Sequence, residues 1–119
     1  MTYSSTTKFL KTLGNRLSDL EIPIFYKLPK ASEMEPFLVI GSATSDTGKT
    51  ALTGAVIEDV TVSIDIFLPN DNRTLVEETK FKAIRLLGRN SRISTTVILD
   101  DTIGREVYHI AIRLTESII

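Results

Sequence analysis

The order of predicted elements makes this chain an α+β protein: helix, three strands, helix, two strands, with no repeating strand-helix-strand unit. Three observations predict it. Apolar residues at helical spacing open the chain, the central run VTVSIDIFL alternates apolar and polar residues, and a second helical stretch precedes two strands joined through a glycine turn. The expected architecture is a single domain over residues 1–119, a mainly antiparallel sheet of about five strands with two α-helices packed on one face. The other face then stays relatively polar, and the sheet edges are available to other chains.

Ser4, Ser5 and Thr6 supply N-cap oxygens, and Phe9, Leu10, Leu13, Leu17 and Leu20 recur at helical spacing, which predicts a helix from about Thr6 to Asp19. Gly14 weakens it slightly. Pro23 stops it, and Ile24 to Leu28 reads as a short strand flanked by prolines, an edge position. After the polar connection LPKASEMEP, Phe37 to Ile40 is an apolar strand closed by Gly41 and Ser42. Residues 43 to 54 read as a long polar loop.

In the strand from Val56 to Leu68, Val60, Val62, Ile64 and Ile66 share one face, and Thr61, Ser63 and Asp65 the other. Thr74 and Glu77 have capping-box spacing at the head of a second helix, whose apolar stripe takes Leu75, Val76, Thr79, Ala83, Leu86 and Leu87 and which Gly88 caps. Two strands follow near Thr95 to Leu99 and Glu106 to Thr115, joined by Asp100 to Gly104, with glycine where positive φ is needed. Tyr108, Ile110, Ile112 and Leu114 take the core face of the last strand.

Composition bounds the function. Fourteen basic against fifteen acidic residues give a formal net charge of −1, so nothing general favours nucleic acid or an anionic membrane. With no cysteine, disulfides, thiolate metal sites and cysteine nucleophiles are excluded. No apolar run approaches the roughly 20 residues of a membrane span, and the N-terminus lacks the order of a signal peptide, so a soluble, cytoplasmic origin is the expectation.

The stretch ATSDTGKT, residues 43 to 50, approaches a phosphate-binding loop, but Ala43 stands where its first glycine belongs. Such a loop works by wrapping backbone N–H groups around phosphate at the start of a helix, and no helix follows Lys49 and Thr50 here. A nucleotide-binding protein built on Lys49, Thr50 and Asp100 is therefore the alternative reading rather than the leading one. The pairs Asp100-Asp101 and Glu58-Asp59 sit at a turn and a strand entrance, and neighbours on a strand point to opposite faces, so neither makes an acid-base dyad. His109, the single histidine, shares its predicted face with Val107, Ala111 and Arg113, as a surface or interface histidine. No catalytic residue, metal site or cofactor is expected. Lys80, Lys82, Arg85, Arg89 and Arg92 form the one basic bias; a helix macrodipole accounts for most of it, and a partner-facing patch is the other reading.

Taken together, the early helix, IPIFYKLPKASEMEPFLVIG, the polar loop, the strand VTVSIDIFLPND and the following helix resemble the tail-completion or tail-terminator proteins of long-tailed bacteriophages. The features that carry the resemblance are Leu28-Pro29 closing a short strand, Pro36-Phe37 entering an apolar one, and Val62 to Phe67 before a helix. It covers nearly the whole chain. The resemblance implies a small α+β subunit that assembles with itself into a ring, commonly a hexamer, at the head-proximal end of the tail tube. The ring stops tail polymerisation and joins the head-completion or connector protein, in the virion and, during assembly, in the host cytoplasm. Another head-tail connector or adaptor role is the neighbouring alternative. Within it, residues 43 to 54 read as a flexible hairpin arm with Asp46, Lys49 and Thr50 as contacts, and Lys82, Arg85 and Arg89 as a second candidate interface.

Overall fold

The computed structural model describes residues 4–50, 56–88 and 92–118. Helix α1 (Ser5–Leu17) and a 3-10 turn (Ser18–Leu20) lead to β1 (Ile24–Phe25), β2 (Phe37–Thr50) and β3 (Val56–Leu68), followed by α2 (Arg73–Leu87), β4 (Arg92–Asp100) and β5 (Val107–Ile118). The five strands form one sheet in the order β1-β2-β3-β5-β4, antiparallel throughout except for β1, which lies parallel to β2. The α+β fold expected from the sequence is thus the fold of the chain.

Local chemistry explains the helix ends. The Ser4 hydroxyl accepts the Thr7 backbone N–H at 3.1 Å and caps α1. After the 3-10 turn Glu21 adopts φ 58, and Pro23 prevents any resumption of the helix. Helix α2 is capped by Asn72, whose side chain accepts the Leu75 N–H at 3.0 Å, and not by Thr74 as the capping-box spacing suggested. Asn72 stands at the N-cap position, from which its side-chain oxygen reaches the free N–H three residues on, and Thr74 becomes part of the first helical turn. Gly88 closes α2 at φ 94 and Gly104 carries φ 94 in the β4–β5 turn, both in the left-handed region that glycine enters without steric cost.

The core lies between one sheet face and the two helices. Phe9, Leu13 and Leu17 of α1 and Val76, Ala83 and Leu87 of α2 pack on Leu38, Ile40, Val60, Val62, Ile64, Ile66, Ile110, Ile112 and Leu114. The alternation read in β3 therefore assigns its faces correctly, and β5 follows with Tyr108 half-buried at the margin. The α2 stripe is narrower than expected: Leu75 is exposed and Leu86 only half-buried, because the helix turns Val76, Thr79, Ala83 and Leu87 to the sheet.

On the opposite face a smaller cluster, Phe37, Val39, Phe67 and Val107, lies at one end of the sheet. Beside it the connection 26–36 is fastened by Arg105, whose guanidinium donates to the Ala31 carbonyl at 2.9 Å, the Glu33 carbonyl at 2.6 Å and the Glu35 carboxylate. This connection takes up most of the stretch expected as strand after Phe25, since only Ile24 and Phe25 pair with β2, at Leu38 and Val39.

The largest departure from expectation is at residues 43 to 50. They are strand, not loop: Ala43 pairs with Val62, Asp46 with Asp59, Lys49 with Ile57 and Thr50 with Val56, with irregularities between Ile40 and Ala43 and between Asp46 and Lys49. The cause is that β3 is strong enough to template a polar partner, whose Thr and Ser residues tolerate extended backbone well. The remainder of the expected arm, residues 51 to 54, lies outside the described residues. The resulting ribbon lengthens the molecule to 53 × 28 × 24 Å, with a radius of gyration of 15.6 Å. A compact chain of this length would have a radius of about 13.5 Å.

Gly14 contacts the outer rim of this packing: a Cβ there would meet the Tyr26 hydroxyl at 2.7 Å. Tyr26 is 57% exposed and free to swing outward. Gly14→Ala is therefore expected to raise stability by up to about 1 kcal/mol through helix propensity, read as a higher denaturant midpoint. A loss of stability would show that the Tyr26 contact matters more than the backbone.

Candidate functional site

The polar face of the sheet collects side chains from three adjacent strands. Register places Asp65 of β3 beside Ala111 of β5, Phe67 beside His109, and Ile98 of β4 beside His109 on its other side. The His109 ring stacks on Phe67 with centroids 4.5 Å apart and planes 19° apart. From that position its Nε2 lies 2.6 Å from Asp65 Oδ1 and its Nδ1 lies 2.9 Å from Asp100 Oδ2, both within hydrogen-bond distance. A neutral imidazole carries one N–H and satisfies one of these acceptors; the imidazolium satisfies both.

The charges follow from that geometry. Hydrogen bonding to Asp65 raises the His109 pKa, burial opposes it, and the bond to Asp100 adds to the rise. Asp100 is held below the ordinary carboxylate range, first by the Thr102 backbone N–H, which donates to Oδ1 at 2.8 Å, then by the Thr102 side chain, with His109 contributing less. Asp100 thus closes the β4–β5 turn and anchors the imidazole at once. The triplet Asp65–His109–Asp100 ties three strands together, and protonated His109 can bond both carboxylates at once.

A stability signature is expected from it. Because the folded state raises the His109 pKa, its contribution is complete below the unfolded value of about 6.5 and is lost as pH rises through the folded value. Asp100 acts in the other direction: its contribution is present above the ordinary carboxylate value and disappears as pH falls through its lowered folded value. The wild-type advantage over His109→Gln should therefore be greatest between mildly acidic pH and the unfolded histidine value, and shrink in alkali. Denaturant midpoints at pH 5.5 and 9 decide this; an advantage that grows in alkali contradicts the paired imidazolium.

Next to the triplet the same face opens into a shallow polar trough of about 370 Å³ lined by Ser63, Asp65, Ser94, Thr96 and Arg113. Hydroxyl groups predominate there, and the Arg113 side chain is exposed. Among the described residues no cluster of three or more His, Asp or Glu side chains could hold a metal ion.

The residues singled out in the sequence fall into separate places. Asp46, Lys49 and Thr50 belong to the outer part of β2, where the backbone is extended and paired with β3. A phosphate loop needs curved backbone that leads into a helix, and the next described element after Thr50 is strand β3. Lys82 and Arg85 lie on α2 at a groove of about 710 Å³ between that helix and the segment Leu20–Ile22. Arg89 lies outside the described residues. Asp46, Lys49 and Thr50 thus stand on strand β2, and Lys82 and Arg85 on helix α2.

Asp65 and Asp100 escaped the sequence reading as partners of His109, although the period-two alternation already put Asp65 and His109 on the polar face. What was missing was the register that sets β3, β5 and β4 side by side.

No protein-family model matches the chain, and no curated protein matches it.

Proposed function

We propose that the chain is a structural subunit of a phage tail, closing into a ring on the head-proximal end of the tail tube, ending its growth and forming the joint to the head connector. The observation that supports this best is the asymmetry of the sheet borders. One border is blunted by β1, two residues long and bracketed by Pro23 and Pro29. At the other, β4 pairs only with β5 among the described residues, over nine residues from Arg92 to Asp100 that contain neither proline nor lysine. Natural sheets normally blunt such an edge, and an unblunted one is a template for another chain.

The ribbon adds a second outward element. β2 and β3 remain paired to Thr50 and Val56, beyond the level at which β4 ends at Arg92 opposite Thr115. A subunit whose contact surfaces differ on its two sides associates head to tail, and such association yields a closed ring when the rotation per subunit closes. The resemblance of IPIFYKLPKASEMEPFLVIG and VTVSIDIFLPND to tail terminators supplies the setting. The test is complementation: in a phage assembly system from which the protein is removed, tails should grow overlong or fail to attach to heads, and the added chain should correct both. Normal virions in its absence would contradict the proposal.

A further inference from the structure

The groove beside α2 is apolar inside, and along the helix it carries Lys82 and Arg85 beside the single carboxylate of Glu78, a surplus of positive charge. Leu20, Ile22, Leu75 and Leu86 line it, and Phe81 stands at its edge with 58% of its surface exposed. Arg85 lies over the Phe81 ring with its guanidinium carbon 5.6 Å from the centroid. Among the described residues no carboxylate pairs with Lys82 or Arg85, whereas Lys80 on the same helix is paired with Glu77 at 2.9 Å. A helix macrodipole favours a cation such as Arg85 in the last turn, but it covers neither the Phe81 ring nor the leucines beside it.

The same chain carries the complement on the other side of the sheet. In the connection 26–36, Met34 is 62% exposed, the most exposed of the large apolar side chains described. Beside it, Glu33 is exposed and its carboxylate has no partner among the described residues, whereas the neighbouring Glu35 is taken by Arg105. The loop is held in advance: Arg105 binds the carbonyls of Ala31 and Glu33, and the Glu33 N–H donates to the Lys30 carbonyl at 2.9 Å. An unbranched, polarizable Met on a fixed loop is well suited to filling an apolar groove. Prior fixation lowers the ordering cost of docking.

We infer that the occupant of the α2 groove is a second copy of this chain, whose Met34 enters between α2 and the Leu20–Ile22 segment while its Glu33 meets Lys82 and Arg85. Groove and knob occupy opposite sides of one sheet, so each subunit offers its knob to one neighbour and its groove to another. The contact is heterologous, as a ring requires. This inference rests on the ring reading for the closure of the assembly, but the pairwise contact is tested separately from it.

The experiment is sedimentation of the full chain over a concentration series. Glu33→Lys and the double change Lys82→Glu with Arg85→Glu, all at exposed positions, should each weaken self-association at least tenfold. An equimolar mixture of the two should restore it, since every knob then finds an oppositely charged groove. Because the chain contains no cysteine, Met34→Cys with Phe81→Cys should give, on oxidation, an interchain disulfide ladder. If the wild type associates and both charge variants associate equally well, or no ladder forms, this contact is wrong while the ring reading stands. If the wild type remains a monomer at every concentration and on tail-tube ends, both fall.

Discussion

Truncating Ile64 to alanine should lower stability by about 2–5 kcal/mol, the range for removing three carbons from a closed core. Ile64 is fully buried at the centre of β3, paired in the sheet with Ile40 on one side and Ile112 on the other, under both helices. Neither neighbour can follow the vacated volume without breaking its own ladder, so the cavity persists and adds to the lost transfer energy. For a domain of this length the shift in Tm is about 8–20 °C. One position of opposite phase serves as control. Thr61 faces the polar side and shares a hydrogen bond of 2.9 Å with Thr115, so Thr61→Ala should cost about 1 kcal/mol. Equal denaturant midpoints for the two variants would mean that the sheet is packed through its other face.

The second large effect is functional. Joining Asp46 to Asp59, which are opposite each other in the hairpin, through an Asn-Gly turn in place of residues 47–58 removes the outer ribbon. The core begins at Val60 and is untouched, so the shortened chain should keep its circular dichroism and unfold cooperatively. It loses one bond between the helix and the ribbon, Thr6 to Glu58 at 2.8 Å. Tail completion, on the other hand, should be abolished, with overlong tails or detached heads when the shortened protein is the sole copy. Normal virions under that condition would take the ribbon out of the mechanism.

The legible parts of the fold were those set by local periodicity. Val60, Val62, Ile64 and Ile66 could be assigned to the core because a period of two leaves one choice once one face is apolar. Gly88 and Gly104 could be read because positive φ has few occupants. What could not be read depends on partners distant in sequence. Residues 43 to 50 carry no strand signal of their own and became strand by pairing with β3. Leu75 and Leu86 fit a helical stripe as well as Val76 and Leu87 do, and only the docking angle of α2 turned them to the groove.

The candidate sites divide in the same way. Asp65, His109 and Asp100 are 35 and 44 residues apart at their widest separations from Asp65, and strand register alone brings them together. The knob at Met34 was hidden for another reason. A polar connection gives no sign that Arg105, 70 residues from Glu35, fixes its backbone and leaves one methionine outward.

Negative-stain electron microscopy of the purified chain, alone at high concentration and mixed with isolated tail tubes, decides whether the subunit closes into rings. Closed rings of one subunit count are expected, free in solution or seated on a single end of each tube. Single subunits at all concentrations, together with tubes whose two ends remain bare, would contradict ring closure.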